Sequence, residues 1–109
     1  MFNPLKLQEM LTQANQMQEE VQRKLAETIV DGSSGGGAVS ATMNGKKQLL
    51  KLHIDPAAVS SLSGSQADVE MLEDLVVAAV NDAGRKAEEI MQSSLKGMLG
   101  GLGIPGIGS

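Results

Sequence analysis

Two stretches with apolar residues spaced three and four apart stand at opposite ends of this chain, and each is far longer than anything the segments between them can cover. The first carries Leu7, Met10, Leu11, Ala14, Met17, Val21 and Leu25, with Gln, Glu and Lys between them. That is the stripe of an amphipathic helix. Asn3-Pro4 opens it, since Asn caps free N–H groups and Pro fits the first helical position, where a missing donor is no loss. Its roughly 24 residues span about 36 Å. The second carries Val69, Leu72, Leu75, Val76, Ala79, Val80, Ala83, Ala87, Ile90 and Met91. It is expected to end near Lys96 after roughly 29 residues, about 43 Å. Ser65-x-x-Asp68 precedes it, either as a loose capping box with Asp in place of Glu or with Asp68 itself as the cap. Gly84 lies inside it at a cost of roughly 1 kcal/mol relative to Ala, a cost that close packing would explain. Asn81-Asp82 is unusual in mid-helix, and an interface, a hydrogen bond to the sheet or plain exposure would each account for it.

Between the helices the period changes. Residues 28–32 read as a short strand, followed by a Ser-Ser-Gly-Gly-Gly connector over residues 33–37 that is not expected to continue it. Val39, Ala41 and Met43 alternate with Ser40, Thr42 and Asn44, the two-residue period of a half-buried strand. Asn44-Gly45 reads as a hairpin turn, because both residues tolerate positive φ. The return strand places Leu50, Leu52 and Ile54 on one face and Leu49, Lys51 and His53 on the other. A two-residue turn pairs Met43 with Lys46 and a four-residue loop pairs it with Gln48; both registers keep the same face inward. Asp55-Pro56 ends the strand, and a polar Ser/Gly stretch leads to the second helix. The fold class is therefore α+β: helix, three-stranded antiparallel sheet, helix. Residues 1–96 form one such domain. Residues 97–109, six of them Gly, form a flexible tail whose apolar residues would otherwise dock on a partner.

Helices this long overhang strands of about 20 Å. Packing the helices antiparallel covers part of the apolar stripe, and a second copy of the chain covers the rest most simply, as a two-fold dimer with helical arms projecting from a sheet-containing body.

Composition excludes whole classes of chemistry. With no Cys among 109 residues, disulfides, thiolate catalysis and Cys-ligated metals are ruled out. His53 is the one histidine and has no evident ligand or catalytic partner. The acid pairs Glu19-Glu20 and Glu88-Glu89 have no His beside them and read as solvated faces. No enzyme, metal site, cofactor or small-molecule substrate is expected. Gly101-x-Gly103-x-x-Gly106 matches a dinucleotide fingerprint only as a string, since it follows no strand and opens no helix; the glycines of residues 32–37 lack the lysine of a phosphate loop. The longest apolar run, residues 75–80, is far short of the roughly 20 needed to span a membrane. Lys6 and Glu9 close behind Met1-Phe2 leave no signal-peptide stretch, so the product is expected in the cytoplasm. Nine basic against thirteen acidic residues give a net charge of −4, and one aromatic, Phe2, offers no stacking platform for bases.

The run from Leu72 to Ala83 (LEDLVVAAVNDA), the Gly35-Gly36-Gly37 connector, Asn44-Gly45 and Ile54-Asp55-Pro56 occur in an order that resembles the YbaB/EbfC family of bacterial nucleoid-associated proteins. Gln16-Met17-Gln18-Glu19-Glu20 and the Gly/Pro-rich tail are similar to it too, so the resemblance covers nearly the whole chain. It implies a tweezer-like homodimer that binds duplex DNA, shapes the nucleoid and influences gene expression. It also implies that DNA meets the arms where the start of the first helix approaches the end of the second. In this sequence those positions offer Lys6, Arg85, Lys86 and Lys96 against Glu9, Glu88 and Glu89. The expected binding is weak, nearly indifferent to sequence and steeply salt-dependent. Lys46, Lys47 and Lys51 around the hairpin form a secondary basic patch, whose default role is to protect strand edges. Arg23-Lys24 near the end of the first helix suits the helix dipole. A non-enzymatic protein–protein adaptor, using Met-rich helices and tail, is the alternative reading.

Overall fold

Residues 3–101 are described by the computed structural model, the backbone alone over 98–101. The first helix, α1 (Pro4–Glu27), begins as its sequence dictates. The Asn3 side chain accepts the N–H groups of Leu5 and Lys6 at 3.1 and 3.5 Å, satisfying donors that the helix cannot. Thr28 closes it: its hydroxyl donates to the Lys24 carbonyl at 2.6 Å.

Three antiparallel strands follow in the order β1 (Ile29–Ser34), β2 (Val39–Asn44), β3 (Leu49–Ile54). β1 starts one residue later than expected and runs through Ser33 and Ser34, which the sequence assigns to the connector. Two contacts with the last helix hold this extension: the Ser34 hydroxyl donates to the Leu75 carbonyl at 2.5 Å, and the Ser33 N–H to the Asp82 carboxylate at 3.0 Å. The chain then turns through Gly35–Gly37, all three at positive φ, a conformation for which Gly lacks the usual steric cost.

The hairpin adopts neither expected register. Its loop has three residues, closed by the Asn44 N–H donating to the Gln48 carbonyl and the Lys47 N–H to the Asn44 carbonyl, both at 3.1 Å. The positive φ falls on Lys47, at 64°, not on the Asn-Gly pair. A three-residue loop sets Met43 opposite Leu49, which would turn β3 over. A bulge between Thr42 and Met43 restores the parity, so that Thr42 faces Lys51 and Ala41 faces Leu52. Leu50, Leu52 and Ile54 therefore share the face of Val39, Ala41 and Met43, as the alternation predicts.

Asp55 ends β3 and caps a short helix, α2 (Pro56–Ser60), absent from the sequence reading. Ser65 then caps α3 (Gln66–Gly101), its hydroxyl oxygen accepting the Asp68 N–H at 3.2 Å. Asp68 does not reach back to Ser65; its carboxylate accepts the hydroxyl and N–H of Ser63 at 2.6 and 2.7 Å, which hold it below the usual carboxylate pKa, the hydroxyl most. α3 continues past Lys96 to Gly101. Residues 102–109, and with them the end of the expected tail and Gly103 and Gly106 of the glycine string, lie outside the described residues.

α3 lies across β1 and β2 and leaves most of β3 exposed, with Ile54 at its end packing against the core. Ala79 and Ala83, fully buried, pack with Val39, Ala41 and Met43. Small residues serve here because Gly32 lets the sheet and helix backbones meet: a Cβ on Gly32 would overlap the Ala83 N and lie 2.5 Å from the Ala79 carbonyl oxygen. Close packing thus falls on Gly32 and not on Gly84, where a Cβ would find nothing nearer than Lys47 at 4.0 Å. The result is elongated, 75 × 27 × 18 Å.

Candidate nucleic-acid interface

α1 joins the body only through its later turns. Leu25 is buried, and its carbonyl accepts the N–H of Gly45 at 2.8 Å. Farther out, Val21, Gln22 and Leu25 line one hollow with Met91, Leu95 and the loop residue Lys46. Met17, Glu20, Val21 and Lys24 line the next with Ser94 and Gly97. The pairing of falling α1 numbers with rising α3 numbers makes the two helices an antiparallel arm. Toward its end α1 leaves Leu5, Met10 and Leu11 exposed, Leu5 by 71%. Lys6 lies beside Gln8, Glu9, Thr12 and Gln13, which with Leu5 line a shallow polar hollow.

The cations selected from the sequence do not form one cluster. Lys6 stands in the first turn of α1, eleven residues beyond Met17 and so about 16 Å farther along the arm. Lys96 is level with Met17, beside Gly97. Arg85 and Lys86 sit at the root of the arm, on the body. The Lys86 ammonium donates to the Asp31 carbonyl at 2.7 Å and lies 3.5 Å from the Asp82 carboxylate; Arg85 lies 3.4 Å from the other Asp82 oxygen. The reading that places these two at the arm tip is corrected by α3's length: they precede the point where it leaves the sheet. Asp82 is held below the ordinary carboxylate pKa, first by the Ser33 N–H; desolvation pushes the other way, and Lys86 and Arg85 each add a smaller downward pull.

The secondary patch also divides. Lys47 pairs with Glu88 of α3 at 3.4 Å. Lys46 reaches the α1–α3 seam, and Lys51 lies opposite Thr42 on the sheet face away from α3. Lys24, assigned from sequence to the helix dipole, also faces the seam, 3.8 Å from Glu20; the antiparallel numbering of the two helices is the signal that finds it. Lys6, Arg23, Lys46, Lys51 and Lys96 make no ion pair with a described residue. Cations on the body are thus mostly matched by carboxylates, and those along the arm mostly are not. Among the described residues no acidic or histidine cluster is disposed to hold a metal, and no helix is long and apolar enough to cross a membrane.

A model of the YbaB/EbfC DNA-binding family matches residues 2–102 of the chain. A nucleoid-associated protein of Acidobacterium capsulatum is 68% identical over 104 residues, covering 95% of this chain and 96% of the relative. Another, of Koribacter versatilis, is 51% identical over 100 residues, covering 92% and 94%. The crystal structure of an uncharacterized protein from Helicobacter pylori superposes with a TM-score of 0.73 at 25% identity, covering 91% of this chain and 99% of that one.

Proposed function

The chain belongs to the YbaB/EbfC DNA-binding family, and on that premise we propose that it is a nucleoid-associated protein that works as a homodimer, its arms holding duplex DNA through phosphate contacts. Its place is the nucleoid, in the cytoplasm. It takes no cofactor and performs no catalysis; the family is one of DNA-binding proteins. The observation that carries the reading is the contrast between Lys47, Arg85 and Lys86 on the body, each beside a carboxylate, and Lys6, Arg23 and Lys96 on the arm helices, which pair with no described carboxylate. Lys6 and Lys96 offer charge that no described carboxylate neutralises, whereas Arg85 and Lys86 reach phosphate only by sharing with Asp82.

Contacts of this kind bring little base discrimination. The net charge, −4 per chain and so −8 for two, opposes approach at long range. Binding is accordingly weak, sequence-tolerant and salt-sensitive, and it alters DNA conformation, nucleoid organisation and gene expression by occupancy more than by site selection. A fluorescence-anisotropy titration of duplex DNA at about 50 and 200 mM salt tests this, since loss of phosphate contacts weakens binding by a power of the salt concentration. Replacing Lys6, Arg85, Lys86 and Lys96 together with Ala should abolish retention while leaving the assembly intact. Undiminished retention, or affinity independent of salt, favours instead an adaptor docking through the exposed Leu5, Met10 and Leu11 stripe of α1.

A further inference from the structure

Of the four asparagines in the chain, Asn44 alone is followed by glycine, the pairing in which a side-chain amide is most readily lost to attack by the next backbone nitrogen. The turn does not demand this glycine, since the positive φ of the loop falls on Lys47. Gly45 serves instead to let α1 approach: a Cβ there would lie 2.9 Å from the Leu25 carbonyl oxygen and 3.0 Å from the Leu25 side chain. The same missing Cβ leaves nothing beside the Gly45 nitrogen to hinder its approach to the Asn44 side chain.

The two groups of such a reaction are held in opposite ways. The Asn44 side-chain oxygen accepts the N–H groups of Lys46 and Gln48, both at 3.0 Å. Paired donors of this kind polarise a carbonyl and stabilise the oxyanion that forms when a nucleophile adds to it. The nucleophile, in contrast, is withheld: the Gly45 N–H donates to the Leu25 carbonyl at 2.8 Å and to the Thr28 carbonyl at 3.0 Å. Both carbonyls belong to the last turn and cap of α1, the helix that joins the body only through its later turns.

We propose that Asn44 is a modification site, a latent deamidation centre locked by the seating of α1 and released when that seat opens. On opening, hydroxide removes the Gly45 amide proton and the nitrogen bonds to the Asn44 side-chain carbon. The bond from that carbon to the amide nitrogen breaks, and ammonia leaves with a proton taken from water, which restores the hydroxide. The cyclic imide then adds water at either carbonyl, giving an aspartyl or an isoaspartyl residue at position 44; no oxidant or reductant is needed. The aspartyl product keeps the acceptor for the Lys46 and Gln48 N–H groups but cannot donate to the Gln48 side chain, 2.6 Å away in the intact chain. The isoaspartyl product lengthens the main chain by one methylene between β2 and the loop, so the Gly45 N–H no longer meets α1. The reaction runs one way, and an arm that has come loose is thereby fixed in its loose state.

The test incubates the full chain without DNA at mildly alkaline pH and follows the peptide that holds Asn44 by mass spectrometry, with enzymatic methylation to count the isoaspartyl form. The wild type should react about a hundredfold more slowly than the same chain in concentrated urea, because reaction waits on local opening. Leu25→Ala truncates the buried anchor and should speed the reaction about tenfold or more. Val21→Ala, which loosens the same seam farther out, should speed it less, and it carries the test if Leu25→Ala does not fold. Val39→Ala, in the fully buried core at the far end of β2, lowers global stability without touching the seat and should leave the rate unchanged. A wild type as fast as the urea-unfolded chain, seat variants that react at the wild-type rate, or an equal rise in Val39→Ala overturns the proposal.

Discussion

The Asp82 carboxylate on α3 accepts the backbone N–H of Ser33 on β1 at 3.0 Å, joining residues 49 apart in sequence. The same carboxylate gathers Lys86 and Arg85, so one mid-helical acid fastens the helix to the sheet edge and also neutralises two cations.

Acid titration should register that role. The folded-state pKa of Asp82 is depressed, most by the Ser33 N–H, so its contribution is complete above the unfolded value of about 3.9 and is lost as pH falls through the lower folded value. Asp82→Asn should therefore flatten the decline in urea midpoint between about pH 5 and pH 2. Asp68, depressed through Ser63, should retain the residual slope. An unchanged acid limb would contradict the assignment.

Removing the same acid should tighten DNA binding. Asp82→Asn frees Arg85 and Lys86 from their counter-charge, so affinity for duplex DNA at low salt should rise and the slope of log K against log salt should steepen, by about 0.9 for each further phosphate neutralised. Lys6→Ala and Lys96→Ala should each make the slope shallower. Anisotropy titrations at several salt concentrations distinguish these effects.

Two glycines should respond oppositely to alanine. At Gly32 the added Cβ meets helix backbone that no side-chain motion can clear, and the cost should be about 3 kcal/mol, at the upper end for overpacking. At Gly84 the Cβ enters open space, and the gain in helix propensity should stabilise by about 1 kcal/mol. Urea denaturation of both variants reads the difference.

Asn44 is 3% exposed. Its side-chain oxygen accepts the N–H groups of Lys46 and Gln48, and its amide donates to the Gln48 side chain. Asn44→Ala should strand those donors and cost about 2 kcal/mol, measurable as a lowered thermal midpoint. Asn44→Asp, which keeps the acceptor, should lose less.

Much of this fold was legible in the chain because local chemistry and tertiary packing agree. Asn3-Pro4 starts α1, the Val39, Ala41, Met43 alternation picks out the buried face of β2, and Asp55-Pro56 stops β3. The readings that failed depend on distant groups. Ser33 and Ser34 read as connector because nothing nearby shows that Leu75 and Asp82 will receive them. The hairpin register turns on a bulge that compensates an odd loop, and periodicity alone cannot show such a pair. Among the candidate contacts, Lys6 fell where the helix pattern put it, while Lys86 was drawn to the β1 edge by the Asp31 carbonyl, a partner invisible until the sheet is assembled.

The attachment of α1 by its later turns alone makes the helix a cantilever. Lys6 stands nineteen positions before Leu25, about 28 Å of rise, so a tilt of roughly 10° at the anchor swings the free end by about 5 Å. The location of that positive charge is set by the stiffness of a rod, the seating of Leu25 against Gly45 and the turns from Met17 onward that line the seam with α3. A change in that seat would re-aim the arm without altering a single charge.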